Sequence, residues 1–110
     1  MAEIEFKAGY LTKETKVINQ YGIHARPAAL MVKAASRYDG CVYLELLNKP
    51  EAKEISNEPR NCKSMLGVME LYITRGSIVK LYVEAKNKED EAARTTLTAL
   101  DDLIASGFGE

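Results

Sequence analysis

Ala93, Leu97, Leu100 and Ile104 recur at helical spacing, so the end of this chain forms a helix with a single apolar stripe that must lie against something. Asn87 offers that helix a cap, Glu89, Asp90 and Glu91 put negative charge near its positive end, and Gly107 stops it. The layer it needs is also in the sequence. Val42, Leu44 and Leu46 alternate with Tyr43, Glu45 and Leu47, and Val79, Leu81 and Val83 alternate with Lys80, Tyr82 and Glu84. Each set reads as a strand with one face turned to a core.

The remaining elements follow from shorter signals. The β-branched Thr15, Val17 and Ile18 predict a strand over 14–20. Pro27 opens a helix over 27–38, with Ala28, Met31, Val32 and Ala35 on its buried face, Lys33, Ser36 and Arg37 outward, and Asp39-Gly40 as its stop. A polar connection over 48–58 contains Pro50 and leads to a short strand over 59–61. Ser64 then caps a short helix over 65–72, and Arg75-Gly76-Ser77 turns the chain into the last strand. The order is β-α-β-β-α-β-α. It predicts an α+β, open-faced β-sandwich: a four-stranded antiparallel sheet with three helices layered on one face, sharing one core, and the other face solvated. Residues 1–13 show no clean period and read as an N-terminal extension to a domain over 14–110. Ile4, Phe6, Tyr10 and Leu11 can still rest on that body or lengthen the first strand.

Composition excludes several functions. A chain of 110 residues holds one core but no separate cofactor domain, and no cofactor is expected. Fifteen basic against sixteen acidic residues leave no basic block for a nucleic acid. No apolar run reaches the length of a membrane span, and the acidic start Met1-Ala2-Glu3-Ile4-Glu5 is unlike a signal peptide, so membrane insertion is not expected and the cytoplasm is. Cys41 and Cys62 are too far apart for a paired-thiol motif. With one histidine in the chain no metal site is expected, and both cysteines read as reduced, Cys41 as a strand residue facing the interior.

That lone histidine lies in Gly22-Ile23-His24-Ala25-Arg26-Pro27-Ala28, at or just before a helix start. Free backbone N–H groups and the positive end of the helix dipole favour an anion there, and Arg26 adds a guanidinium suited to phosphate oxygens. A neutral imidazole can attack phosphorus with one nitrogen while the other holds the proton. The plainer reading of a lone histidine is a polar surface or capping group, and the rest of the chain decides between them.

The heptapeptide resembles the active-site signature of HPr, the histidine-containing phosphocarrier family of the phosphoenolpyruvate-dependent sugar phosphotransferase system. Residues 61–69, Asn-Cys-Lys-Ser-Met-Leu-Gly-Val-Met, are similar to that family's regulatory-serine segment, and Gly107-Phe108-Gly109-Glu110 resembles the close of many members. The likeness covers 15–110. It implies a stoichiometric carrier rather than an enzyme, which takes a phosphoryl group from phospho-enzyme I on Nδ1 of His24, with Arg26 as charge partner, and passes it to enzyme IIA proteins. It further implies that Ser64, besides capping a helix, is open to HPr kinase/phosphorylase as in part of the family. The same resemblance makes Met65 and Leu66 an exposed docking patch. Met69 is divided between patch and core, because at helical spacing such residues also read as core. Lys33 and Lys63 read equally as steering charges or as solvated ones. A rival function keeps the fold but makes the protein a regulatory binding module that acts through Ser64 without passing phosphate on. A monomer is the default. Three features depart from the usual family pattern: the residues before Glu14, the connection over 48–58 where a tight hairpin is usual, and Met65-Leu66 where isoleucine or leucine followed by methionine is commoner.

Overall fold

The last strand is the centre of the sheet, with a strand that buries apolar residues in the core on each side of it. In the computed structural model, which describes residues 3–48 and 58–110, β5 (Ile78–Glu84) pairs antiparallel with β2 (Tyr10–Lys16) on one side and β3 (Val42–Leu46) on the other. β4 (Arg60–Asn61) adds to the far side of β3. The alternation in β3 and β5 sends Val42, Leu44, Leu46, Val79, Leu81 and Val83 inward, all fully buried or nearly so. Three helices cover that face: α1 (Ala25–Ser36), α2 (Met65–Met69) and α3 (Glu91–Ala105). Met31, Val68, Leu97, Leu100 and Ile104 fill the space between.

Among the described residues the sheet has five strands where four were expected. β1 (Glu5–Lys7) folds back on β2 through Ala8 and Gly9, both at positive φ (53° and 85°), the backbone pattern of a two-residue hairpin. The first strand of the expected four, β2, lies earlier than 14–20, because Leu11 pairs with Val83 and takes a fully buried place in the core. Residues 1–13 thus contribute β1 and the first part of β2. The connection expected over 48–58 lies, apart from its two ends, outside the described residues.

Other corrections follow from local competition. α1 begins at Ala25 rather than Pro27 and ends at Ser36, and its Val32 is half-buried rather than core. Asn87 does not cap α3: its Oδ1 accepts from the N–H of Glu89 in a local turn, and Asp90 takes the cap by accepting from the N–H of Ala93 (3.2 Å). α2 stops at Met69, before the expected Tyr72, which stands at a positive φ of 50°. Cys41 is exposed, not interior. It precedes Val42, whose side chain faces the core, so strand alternation turns Cys41 outward. Cys62 is the buried one, and burial pushes its thiol pKa up to about 12.

The outer sheet face, open to solvent, carries Tyr10, Tyr43 and Tyr82, with ring centroids 6.0 Å (Tyr10 to Tyr43) and 6.3 Å (Tyr10 to Tyr82) apart. Beneath the sheet, Lys13 on β2 reaches Asp101 on the buried side of α3 at 2.5 Å, tying helix to strand.

Candidate functional site

The loop between β2 and α1 is held by a close approach that only glycine permits. Gly22 has φ +63°, and a Cβ there would stand 2.2 Å from the carbonyl oxygen of Ile73. That proximity lets the Ile23 N–H donate to the same oxygen at 3.0 Å, so the loop after α2 braces the loop before α1. His24 follows as the N-cap of α1, in extended backbone geometry and with no side-chain capping bond. Its imidazole is therefore free for other work, and its side chain is 40% exposed, enough for a partner to reach.

Besides the N–H of the cap residue His24, two amides at this helix start are left over. The Ala28 N–H bonds the His24 carbonyl (2.9 Å), and Pro27 has no N–H, which leaves those of Ala25 and Arg26 without an intrahelical acceptor. Beside them stands the Arg26 guanidinium, donating from Nη2 to the Phe108 carbonyl at 2.6 Å and lying 3.2 Å from Glu110 Oε2.

Glu110 and Asn19 complete the site, and the sequence had pointed to neither as a site residue. Gly107, Phe108 and Gly109 all have positive φ, a tight turn that buries the Phe108 ring and swings the Glu110 carboxylate back over the loop. Glu110 Oε2 lies 2.8 Å from His24 Nε2, and Asn19 Nδ2 donates to Glu110 Oε1 (2.9 Å) and to the Gly22 carbonyl (2.6 Å). These hydrogen bonds, from Asn19 first and then His24 and Arg26, hold the Glu110 carboxyl below the usual glutamate range. It is thus an ionised acceptor near neutral pH. A carboxylate cannot donate, so Nε2 carries the ring proton in this hydrogen bond, and the lone pair of the neutral ring lies on Nδ1. Among the described residues Nδ1 has no hydrogen-bond partner. Tyr21 stands edge-on to the ring, centroids 6.2 Å apart. An open cleft of about 610 Å³ runs beside His24, lined also by Ile18, Tyr21, Arg75 and Glu110.

The other residues singled out in the sequence lie on or beside α2, which packs on α1. Ser64 is its N-cap and accepts from the Gly67 N–H at 3.0 Å. Met65, Leu66 and Met69 are all exposed, Leu66 by 70%, and Tyr72 is exposed beyond them. Lys63 is not a free rim charge: its Nζ donates to the Tyr38 carbonyl at 2.5 Å, at the far end of α1 from His24. Lys33 is exposed on α1.

A family model described as the PTS HPr component phosphorylation site matches residues 11–106. The phosphocarrier protein HPr of Treponema pallidum (strain Nichols) is 38% identical over 101 residues, which is 91% of this chain and 98% of that protein. Among solved structures, HPr-C-His from Thermoanaerobacter tengcongensis is 34% identical with a TM-score of 0.68, over 90% of this chain and 96% of that one. HPr from Bacillus anthracis str. Ames is 28% identical with a TM-score of 0.68, over 86% and 96%. No helix of the described residues is long and apolar enough to cross a membrane.

Proposed function

The chain belongs to the HPr phosphocarrier family of the phosphotransferase system, and from that premise we propose that His24 takes a phosphoryl group from phospho-enzyme I and hands it to enzyme IIA proteins. The observation that carries this reading is the 2.8 Å contact of His24 Nε2 with Glu110. It keeps the proton on Nε2 and the attacking lone pair on Nδ1. In the transfer, the Nδ1–P bond forms as the donor's bond to phosphorus breaks, and the donor atom keeps that electron pair. The Nε2 proton stays where it is, so the chain needs no general base of its own. The Ala25 and Arg26 amides and the Arg26 guanidinium supply positive charge where the phosphoryl oxygens arrive, and the partner supplies in-line positioning. Onward transfer is the same step run with the acceptor's nucleophile. The protein ends each cycle unchanged, a carrier rather than a catalyst.

In this reading Met65, Leu66 and Met69 form the docking patch beside the histidine. Their exposure supports that, and flexible methionine suits a surface that meets several partners. Ser64 is the regulatory position, where added phosphate charge would stand next to the patch. The test is incubation with phosphoenolpyruvate and enzyme I, followed by a search for acid-labile phosphate on His24, with His24→Ala as control. Label on the parent protein that is absent from the variant, and that then moves to a IIA protein, supports the carrier. A parent protein that stays unlabelled sinks it and favours the regulatory binding module.

A further inference from the structure

Charge balance at the site is incomplete for the group it would carry. Before phosphorylation, the Arg26 cation and the Glu110 anion offset each other at 3.2 Å. A phosphoryl group on Nδ1 would carry close to two negative charges on its oxygens, against a single positive charge on a ring that keeps its Nε2 proton. Arg26 cannot answer all of that, since its guanidinium is already engaged by the Phe108 carbonyl and Glu110.

One more cation lines the cleft. Arg75 shares its wall with His24, Tyr21 and Glu110, is exposed, and has no ion-pair or hydrogen-bond partner among the described residues. It is also held in place. Its turn is pinned by the Thr74 N–H donating to Ser77 Oγ (3.1 Å) and the Gly76 N–H donating to the Val17 carbonyl (2.8 Å). Two residues earlier, Ile73 accepts from the Ile23 N–H, and the Gly22 contact closes the same gap. The turn bearing Arg75 and the loop bearing His24 therefore form one braced unit, and a long side chain on that turn swings from a fixed root.

We propose that Arg75 is a second guanidinium ligand of the phosphoryl group on His24, binding its non-bridging oxygens from the cleft side while Arg26 binds from the helix start. This rests on the carrier reading above and extends it by naming what receives the unbalanced charge. Arg75 breaks no bond in this role. It stabilises the phosphorylated state and draws the incoming anion in.

The test uses phosphoramidate as the phosphoryl donor, so that no partner protein enters the comparison: its P–N bond breaks, ammonia leaves, and the Nδ1–P bond forms. The parent protein, Arg75→Gln and Arg75→Lys are labelled, and the 31P signal of each phosphohistidine is followed against pH. Removing one cation several ångströms away in a water-like dielectric should raise the phosphoryl group's second ionisation by about 0.4 unit. The same loss should slow labelling of Arg75→Gln by about two- to fivefold. Arg75→Lys should recover most of both, and the melting temperatures of all three should agree. A purely structural arginine would not move the 31P titration. If the parent labels on His24 and Arg75→Gln shows the same titration and rate, this inference is overturned and the carrier reading stands. If the parent itself takes no label on His24, both are overturned.

Discussion

His24 and Glu110, 86 positions apart, meet at 2.8 Å, and this bond holds a ring proton on Nε2, leaving Nδ1 as the nitrogen proposed to attack phosphorus. Replacing the carboxylate by an amide that both donates and accepts removes that selection. Glu110→Gln should therefore lower the rate of phosphoryl uptake on the order of 10- to 100-fold, the scale of misplacing a reacting group by about an ångström. Equal labelling rates for the variant and the parent would falsify the assignment.

The same carboxylate sets an acid limb for stability. Its folded-state pKa is lowered by the hydrogen bonds from Asn19, His24 and Arg26. The contribution is therefore whole above the ordinary glutamate range and is lost as pH falls through the lowered value. Melting temperatures of the parent and Glu110→Gln, compared from about pH 7 down to about pH 3, should differ most at the upper end and converge at the lower. A constant offset across the range would show that the bonds carry no such linkage.

Gly22 is where the loops meet most closely. Gly22→Ala forces a left-handed backbone on alanine, costing about 1–3 kcal/mol, and drives a methyl into the Ile73 carbonyl. Parting the loops breaks the Ile23 to Ile73 hydrogen bond, for about 1 kcal/mol more. A fall in melting temperature of roughly 10–20 °C should follow in a domain of this size. A drop of a degree or two would mean that the braced geometry is wrong.

What could be read in the sequence was what local periodicity determines. The α3 stripe and the β3 and β5 alternation depend on spacing alone, and each leaves its apolar residues in the core. Placing His24 at a helix start needed only Pro27 and the residues after it. Where two local signals compete, spacing does not choose: Asn87 and Asp90 are both good caps, and the turn chemistry of Asn87 hands the helix start to Asp90. Glu110 was beyond reach for another reason. Its place at the imidazole depends on a tertiary fold that brings the end of α3 back to the start of α1, and nothing in the neighbouring sequence encodes that distance. Cys41 follows parity instead: with Val42 facing inward, its neighbour must face out.

The two cysteines provide a test of that parity. Under native conditions a thiol alkylating reagent should label Cys41, which is exposed, and spare Cys62, whose thiol is fully buried with a pKa raised to about 12. Unfolding with denaturant should make both react. Peptide mass spectrometry reads the sites directly, and native labelling of Cys62 at a rate near that of Cys41 would contradict the placement of both.

Ser64 and Leu66 separate structure from docking on a single helix. Ser64→Ala removes the acceptor of the Gly67 N–H and should cost about 1 kcal/mol, while Ser64→Asp retains a capping oxygen and should cost less. If the proposed docking role holds, the aspartate should nonetheless weaken phosphoryl uptake from enzyme I, because it sets a charge beside an apolar surface. Leu66→Ala reverses the pattern. With 70% of Leu66 exposed, its truncation should leave stability within about 0.5 kcal/mol. Truncating a residue at the centre of an interface costs more than about 1 kcal/mol of binding, so with Leu66 the most exposed member of the proposed patch, affinity for enzyme I should fall about tenfold. Calorimetric unfolding together with titration of enzyme I measures both quantities on the same variants. A Leu66→Ala protein that binds like the parent would move the docking surface off α2.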